Sequence, residues 1–264
     1  MPAATPATLK KAPLSGAFFM LLAWLTAAAA DQGCGPPQAA GLVKVRYVSD
    51  GDTLTLHDDT RVRLIGINTP ELAGDGNAAQ PLAVRARDQL RQLLFRHGNQ
   101  VKLLYGEQRR DRHGRTLAYL WLPDGRNLTA ELLRAGLGWT VAVPPDTRFV
   151  DCHLKAEADA RSASRGVWGT DAWQPRDSAT LDLRTEGFQL VRGGITRVNR
   201  GGGATWVNLQ GRFAIRIPEQ DLEQFNEPPS RAWIGRTLEV RGWIYQTQGE
   251  LRVNIGHPAN LQLY

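Results

Sequence analysis

The chain of 264 residues carries 32 Lys and Arg against 26 Asp and Glu, which gives a formal net charge of +6. This length suffices for one large domain or two small ones, and the basic balance favours a polyanionic partner such as nucleic acid or an anionic membrane. Charge alone does not establish such a partner, because many secreted basic proteins bind no nucleic acid. The two cysteines are too few for a structural zinc site.

Residues 1–30 have the pattern of an export signal. Lys10 and Lys11 precede an apolar stretch over residues 14–30, which ends in Ala28-Ala29-Ala30, a cleavage signal of the A-x-A type. We therefore expect a periplasmic or secreted protein. The alternative is an uncleaved leader, since about 17 apolar residues can just cross a thin bilayer and would anchor the protein in the inner membrane.

Export bears directly on the two cysteines. Cys34 follows the predicted cleavage point closely, and Cys152 lies near the start of a predicted helix. In an oxidising compartment a disulfide between them would tie the mature N-terminus to the domain. Two unrelated thiols are the alternative, because the sequence does not show whether the side chains are close.

The pattern of apolar residues predicts a mainly β fold with helices (α+β) over residues 42–169, after a flexible lead-in at 31–41. Five short strands with inserted and appended helices are typical of an OB-type barrel. The predicted strands cover residues 42–49, 52–57, 61–67, 101–105 and 116–122, and the three helices cover about 81–97, 128–135 and 149–164.

Acidic and basic side chains gather at the ends of the first strands. Asp50 and Asp52 flank Gly51 at a turn, and Arg63 lies on an alternating run that stops before Glu71. Strand ends and the loops after them are where rigid scaffolds usually display chemistry. A carboxylate pair beside a guanidinium and a further Glu suits a hard divalent cation together with an anionic ester.

Three motifs occur in order along this segment: Asp50-Gly51-Asp52-Thr53; Arg63 with Asn68-Thr69-Pro70-Glu71; and Asp111 with Gly114-Arg115 and Leu117-Ala118-Tyr119. Together they resemble the thermonuclease family, the staphylococcal-nuclease-like proteins. The resemblance continues through 131–137 and covers residues 42–169, about half of the chain. The first motif alone is short and common, so the resemblance depends on all three and on their spacing.

The resemblance implies a calcium-dependent phosphodiesterase that acts on DNA and RNA, preferably unpaired, with low sequence preference. It makes Asp52 and the backbone carbonyl of Thr69 calcium ligands. Glu71 would be the general base for the attacking water, and Arg63 and Arg115 would bind the phosphate and stabilise its transition state. The leaving group would be a 5′-oxygen, and the products would carry 3′-phosphates.

The chain departs from the family pattern at two places. Asn68 replaces an aspartate that is a direct calcium ligand; its amide oxygen can still coordinate calcium, but one negative charge is lost. Ligand charge tunes calcium affinity, so we expect weak binding, with a Kd of about 10⁻⁴–10⁻³ M. Residues 141–144 replace two tyrosines that contact the nucleotide in the family's best-known member. Trp139 is a partial substitute or, alternatively, a packing residue.

Beyond a linker at 170–186, residues 187–264 alternate in a β-β-β-α-β-β order and predict a second, smaller OB-like β-barrel. This module binds single strands by aromatic stacking or, alternatively, only docks and rigidifies the chain. In the first domain, a basic stretch in the predicted loop 107–115 could contact the substrate. The predicted nucleic-acid-binding side chains are Arg109, Arg110, Arg112 and His113, followed by Trp206, Trp243 and Tyr245 in the second barrel.

Two functional classes remain open on sequence grounds. The first is an exported nuclease that binds one calcium ion and acts as a monomer. The second is a catalytically weak nucleic-acid-binding protein on the same scaffold, which the loss of the metal-ligand aspartate at Asn68 favours. The retained Glu71 favours the enzyme, because a pure binding protein has no need of a base at that position.

Overall fold

The structure, a computed structural model, describes residues 1, 3, 34–74 and 76–264. The predicted export signal lies almost wholly outside these residues. The first domain contains seven strands and three α-helices within the described residues. The strands are β1 (Gly41–Val48), β2 (Thr53–Leu56), β3 (Arg61–Leu64), β4 (Ile67–Asn68), β5 (Gln100–Arg110), β6 (Thr116–Trp121) and β7 (Trp139–Thr140); the helices are α1 (Ala83–Phe95), α2 (Leu128–Arg134) and α3 (Val150–Ser162).

Five of these strands close into a barrel in the order β1-β2-β3-β6-β5. Strand alternation places Leu54, Val62 and Leu120 in the fully buried interior. β3 and β6 run parallel, and the other neighbours are antiparallel. The predicted OB-type barrel with three helices is therefore confirmed for this half of the chain.

Three local features stabilise the helices and the N-terminal lead-in. The apolar face of α1 buries Leu90 and Leu94 against the barrel core. Asn127 caps α2 by accepting a hydrogen bond from the Ala130 backbone N–H at 2.9 Å. A disulfide joins Cys34 to Cys152 on α3, with the Cα atoms 5.4 Å apart.

The structure differs from the sequence expectation in β5. This strand was expected to end at residue 105, but it continues to Arg110, where it pairs with Thr116 of β6. The register shifts between Tyr105 and Arg110, and residues 107–110 are exposed. A strand segment that is exposed on both faces shows no alternation of apolar and polar residues. The sequence of residues 107–110 therefore resembled that of a loop.

The second domain is also a closed five-stranded barrel. β12 pairs with both β13 and β9, which closes the ring β12-β13-β11-β10-β9, while two further strands extend the sheet at its edges. The helix expected after the third strand is a 3₁₀-helix, Glu219–Gln224. The strands are β8 (Arg176–Asp177), β9 (Gly187–Gly201), β10 (Ala204–Leu209), β11 (Phe213–Pro218), β12 (Thr237–Thr247), β13 (Glu250–Asn254) and β14 (Leu261–Leu263).

Polar contacts fasten the two barrels to each other. Asn260 donates to the backbone carbonyl of Ala142 at 2.7 Å and accepts from its N–H at 3.0 Å. Arg241 on β12 forms an ion pair with Glu157 on α3 at 2.6 Å, and both side chains are nearly inaccessible to solvent. The backbone N–H of Thr140 donates to the second Glu157 oxygen at 2.6 Å. Asn260 and Arg241 of the second barrel thus each have a partner in the first barrel.

An aromatic cluster packs along the same boundary. Trp139 lies edge-on to Trp173, with the ring centroids 4.6 Å apart, and is tilted against Phe188 at 5.4 Å. Trp173 belongs to the segment expected to be a linker, so this segment packs on both sides of the boundary. Among the described residues, no helix is both long and apolar enough to cross a membrane.

Candidate active site

The candidate site lies at one end of the first barrel, where three strand ends meet. Asp50 and Asp52 occupy the turn between β1 and β2. Arg63 lies on β3 opposite Thr53 of β2, and the chain then turns through β4 into the loop that carries Glu71. The first two sequence motifs are thus brought together by pairing between neighbouring strands.

Asp52 is the centre of this arrangement. Its carboxylate accepts hydrogen bonds from the backbone N–H of Thr69 at 3.0 Å and from the Thr69 hydroxyl at 3.1 Å. The same oxygen lies 3.0 Å from Nη2 of Arg63. The other oxygen accepts from the Thr53 hydroxyl at 3.0 Å. Only 3% of Asp52 is exposed, so these partners are what compensate its burial.

Arg63 is fixed in one orientation by the backbone around it. Its Nη1 donates to the carbonyls of Leu64 at 2.9 Å and Ile67 at 2.8 Å. Its Nη2 donates to Oδ1 of Asn68 at 3.1 Å as well as facing Asp52. A buried guanidinium with this many acceptors cannot swing away, so it is a fixed positive charge at the site.

Arg115 enters the site from the turn before β6. Asp111 orients it, accepting from its Nε at 2.7 Å, and the nearby guanidinium and backbone N–H donors lower the pKa of the Asp111 carboxyl. Nη1 of Arg115 donates to the Thr53 hydroxyl at 3.3 Å. That hydroxyl in turn donates to Asp52, so the two arginines belong to one hydrogen-bonded network.

A second pair of carboxyls lies beside Asp52. Glu71 is an exposed residue, but protein atoms crowd its carboxyl end; this burial, the Asp52 charge and a hydrogen bond with Asp50 raise its pKa to about 7. Burial and the Asp52 charge also raise the pKa of Asp50. The sequence placed Asp50 in a carboxylate pair with Asp52 but did not indicate its hydrogen bond with Glu71.

The oxygen donors of this site fit calcium. Asp52 supplies a carboxylate, Thr69 a carbonyl and Asn68 an amide oxygen, which are the ligand types that Ca²⁺ prefers. Burial first, and the Asp52 charge second, raise the pKa of both Asp50 and Glu71, and a bound cation would favour their ionised forms. In the part of the chain that the structure describes, no group of three or more His, Cys, Asp or Glu side chains is placed to hold a metal ion.

Asn68 is the weak member of this donor set. Its Oδ1 accepts from Arg63, and its Nδ2 points at the Thr69 carbonyl at 3.5 Å. The amide is therefore hydrogen-bonded within the site and adds no charge. An aspartate there would place a second carboxylate beside Arg63 and the carbonyl.

The remaining predicted residues of the first domain lie around the site or away from it. Arg109 and Arg110 are exposed at the end of β5, where Arg109 lies over the Tyr105 ring at 4.6 Å. Arg112 and His113 are exposed in the following turn, where Nε of Arg112 donates to the His113 ring at 3.1 Å. Trp139 is a packing residue: it is 1% exposed, so it leaves no free aromatic face.

The three predicted aromatic residues of the second barrel do not join this site. Trp243 and Tyr245 are exposed on β12, and Trp206 is half-buried on β10. Arg241, two residues before Trp243 on β12, is held in the buried ion pair with Glu157. The pattern along β12 could not reveal that partner, because it lies on a helix of the other barrel.

Fold and site together define an OB-type barrel, elaborated by helices, with a carboxylate and arginine centre at its rim. The sequence model described as "Staphylococcal nuclease homologue" matches residues 61–170. The chain is 32% identical over 127 residues to a thermonuclease of Staphylococcus intermedius, which covers 47% of this chain and 74% of that protein. A thermonuclease of Staphylococcus hyicus is 32% identical over 145 residues, or 51% and 83% of the two chains.

A third relative, the SPbeta prophage-derived endonuclease YokF of Bacillus subtilis, is 32% identical over 129 residues, covering 47% of this chain and 43% of that protein. The chain belongs to the staphylococcal nuclease family. The family model ends at residue 170, so the second barrel lies beyond the part that it matches.

Proposed function

We propose that the chain is a nuclease that hydrolyses phosphodiester bonds of DNA and RNA with low sequence preference. The observation that carries the proposal is the network of Arg63, Asp52, Thr53 and Arg115, with the carboxyl of Glu71 beside it. Membership of the nuclease family and relatives named thermonuclease and endonuclease support the same reaction.

The side chains divide the work as the chemistry of a phosphodiester requires. Glu71, with a pKa of about 7, is suited to accept a proton from the attacking water near neutral pH. Arg63 supplies a fixed charge close to the carboxylates. Arg115 is anchored by Asp111 through Nε, which leaves the outer part of its guanidinium to bind a non-bridging oxygen and the charge that develops there.

Asp52, Asn68 and the Thr69 carbonyl would hold one calcium ion. When bound, the ion supplies positive charge that neutralises the phosphate and the surrounding carboxylates. Because Asn68 contributes no charge, we propose that this ion is held weakly, in the range of extracellular calcium modules, with Kd about 10⁻⁴–10⁻³ M.

Periplasmic or secreted action agrees with the disulfide between Cys34 and Cys152, because disulfides persist in oxidising compartments. We further propose that the protein acts as a monomer on unpaired strands. Cleavage would release the 5′-oxygen and leave 3′-phosphate ends.

One observation favours a second candidate function. The Asn68 amide oxygen accepts a hydrogen bond from Arg63, and the amide nitrogen donates to the Thr69 carbonyl. A site that is satisfied internally in this way suits a protein that binds nucleic acid but cleaves it poorly.

Hydrolysis of single-stranded DNA by residues 31–264, with calcium titrated from micromolar to tens of millimolar, separates the two candidates. The Glu71→Gln variant keeps the shape of the side chain and removes the base. Glu227→Gln, an exposed acid in a loop of the second barrel, is the matched control. The nuclease requires calcium-dependent cleavage that is lost in Glu71→Gln and retained in the control. DNA binding with no cleavage at any calcium concentration would establish the second candidate.

A further inference from the structure

The outer surface of the second barrel carries an aromatic and basic patch that the site does not use. Cross-strand pairing places Trp206 of β10 opposite Arg216 of β11, and Arg216 opposite Asn254 of β13. In the neighbouring row, Arg252 of β13 lies opposite Tyr245 of β12. We call this surface the aromatic face and define it by Trp206, Arg216, Trp243, Tyr245 and Arg252.

The aromatic rings of this face are not core residues. Trp243 is 40% exposed and Tyr245 is 36% exposed. Arg252 lies over the Trp206 ring, with its guanidinium carbon 4.8 Å from the ring centroid, and Tyr245 donates to the Asn254 amide oxygen at 3.3 Å. Trp206 is held by a hydrogen bond from its indole N–H to the Gly201 carbonyl at 3.0 Å. The Trp206 ring is thus fixed beneath Arg252, while the Trp243 and Tyr245 rings are partly exposed.

Charge on and around the face suits a polyanion. Arg216 lies at its centre and interacts with the Asp221 carboxylate. Arg197 of β9, opposite Asn208 of β10, donates to the neutral Asn208 amide oxygen at 3.3 Å. Glu250 pairs with Arg252 and offsets one charge. Partly exposed aromatic rings beside guanidinium groups suit an unpaired polynucleotide, because bases stack on the rings and phosphates bind the charges.

The aromatic face runs into a cavity between the two barrels. This cavity of about 190 Å³ is lined by Trp243 and Asn254 from the second barrel and by Val143 and Pro144 from the first. The segment 141–146 is in turn connected to the candidate active site. The Val141 N–H donates to the Gly66 carbonyl at 3.2 Å, and β4, which carries Asn68, pairs with β7 just before this segment.

The contacts between the two barrels hold the aromatic face and the cavity in a fixed position relative to the candidate active site. Asn260 and Arg241, both from the second barrel, line the same cavity and bind Ala142 and Glu157 of the first. We propose that the aromatic face is a second binding surface for single-stranded nucleic acid, holding the unpaired strand that continues from the active site. This inference rests on the proposed function for the identity of the strand, but the face binds it without cleavage.

Binding is measured with metal chelated, so that cleavage plays no part in the result. The probe is fluorescent dT₂₀, titrated with residues 31–264 and followed by anisotropy over a range of salt concentrations. Trp206→Ala and Tyr245→Ala should each weaken binding about 5- to 100-fold, the usual loss for one stacked base. Arg216→Glu should weaken it and reduce the slope of log K against log salt by about 1–2.

Matched controls lie outside the face. Phe95→Ala removes an aromatic ring that is 78% exposed at the end of α1, and Arg184→Glu reverses a charge in the segment between the barrels. Both should bind dT₂₀ as the parent protein does. Thermal midpoints verify that each variant is folded, and Arg216→Glu keeps the test valid if removal of the Trp206 ring unfolds the barrel.

The outcomes separate this inference from the proposed function. If variants of the aromatic face lose affinity while the protein cleaves nothing at any calcium concentration, the second binding surface is supported and the proposed nuclease activity is wrong. If face variants bind dT₂₀ no worse than the controls, the inference is wrong even when cleavage is strong. It is also overturned if sedimentation shows a dimer that the face variants dissociate, because a second copy of the chain would then cover the rings.

Discussion

Replacement of Arg241 by methionine tests how strongly the two barrels depend on each other. The side chains of Arg241 and Glu157 are 11% and 5% exposed, and their ion pair measures 2.6 Å. The variant leaves the Glu157 charge buried, and among the described residues the Thr140 N–H remains as its hydrogen-bond partner. Removal of one member of such a pair typically costs about 3–5 kcal/mol, because the other charge stays buried without compensation.

Urea unfolding followed by tryptophan fluorescence measures this loss of stability, and calorimetry shows whether one thermal transition splits into two. Arg184→Met is the matched control, since its ion pair with Asp182 has the same chemistry but its side chain is 90% exposed. The control should leave the stability unchanged within the error of the measurement, because water screens an exposed ion pair. Adding Glu157→Gln to Arg241→Met should restore part of the loss, because the amide keeps an acceptor for Thr140 without the charge. A loss below about 1 kcal/mol for Arg241→Met would refute the reasoning.

Three further predictions concern the candidate site. Asn68→Asp should tighten calcium binding about tenfold by calorimetric titration, because ligand charge sets affinity in oxygen sites. Arg115→Lys should lower kcat by about 10²–10³-fold in the cleavage assay, since a point charge cannot replace the fork held by Asp111. In chelator, Glu71→Gln should stabilise the protein by about 1–2 kcal/mol at pH 8 and not at pH 4, with solvent screening reducing the effect.

The sign of the Glu71 effect follows from its pKa, raised from 4.5 to about 7. Above pH 4.5 the unfolded chain releases this proton more readily than the folded protein, so stability is lost as pH rises towards 7 and the variant avoids that loss. Equal stability of the Glu71→Gln variant and the parent protein at pH 8 would contradict this prediction.

Unchanged calcium affinity in Asn68→Asp would mean that this side chain does not reach the ion. An unchanged kcat in Arg115→Lys would show that catalysis does not require two hydrogen-bond donors from Arg115.

Local patterns were sufficient to predict the first barrel and most of its site. Alternation with one buried face marks strands such as β2 and β6, and the motif around Asp52 lies at a turn that those strands impose. The predicted export signal led us to expect a disulfide between Cys34 and Cys152, and the structure places the two residues together. These features depend on neighbours in sequence or on a motif whose spacing is short.

Long-range partners were beyond the sequence pattern. The sequence around Arg241 does not indicate that it forms an ion pair with Glu157 of the other barrel. Likewise, it does not indicate that Asn260 hydrogen-bonds to the backbone of Ala142. The link between Asp50 and Glu71 was missed for a related reason, since two acids twenty-one positions apart hydrogen-bond only if one of them holds a proton. The pKa that permits this depends on burial, which a sequence does not state.

The disulfide between Cys34 and Cys152 also decides what a protease can do to this molecule. It encloses the whole first barrel from β1 to the start of α3 in one covalent ring. A single cut within that ring, for instance in the exposed segment 76–80 beside the site, opens the chain without releasing a fragment. A cut between residues 170 and 186 lies outside the ring and leaves the second barrel attached only by its contacts. In a compartment rich in proteases, the half that carries the candidate site is therefore the half that survives nicking in one piece.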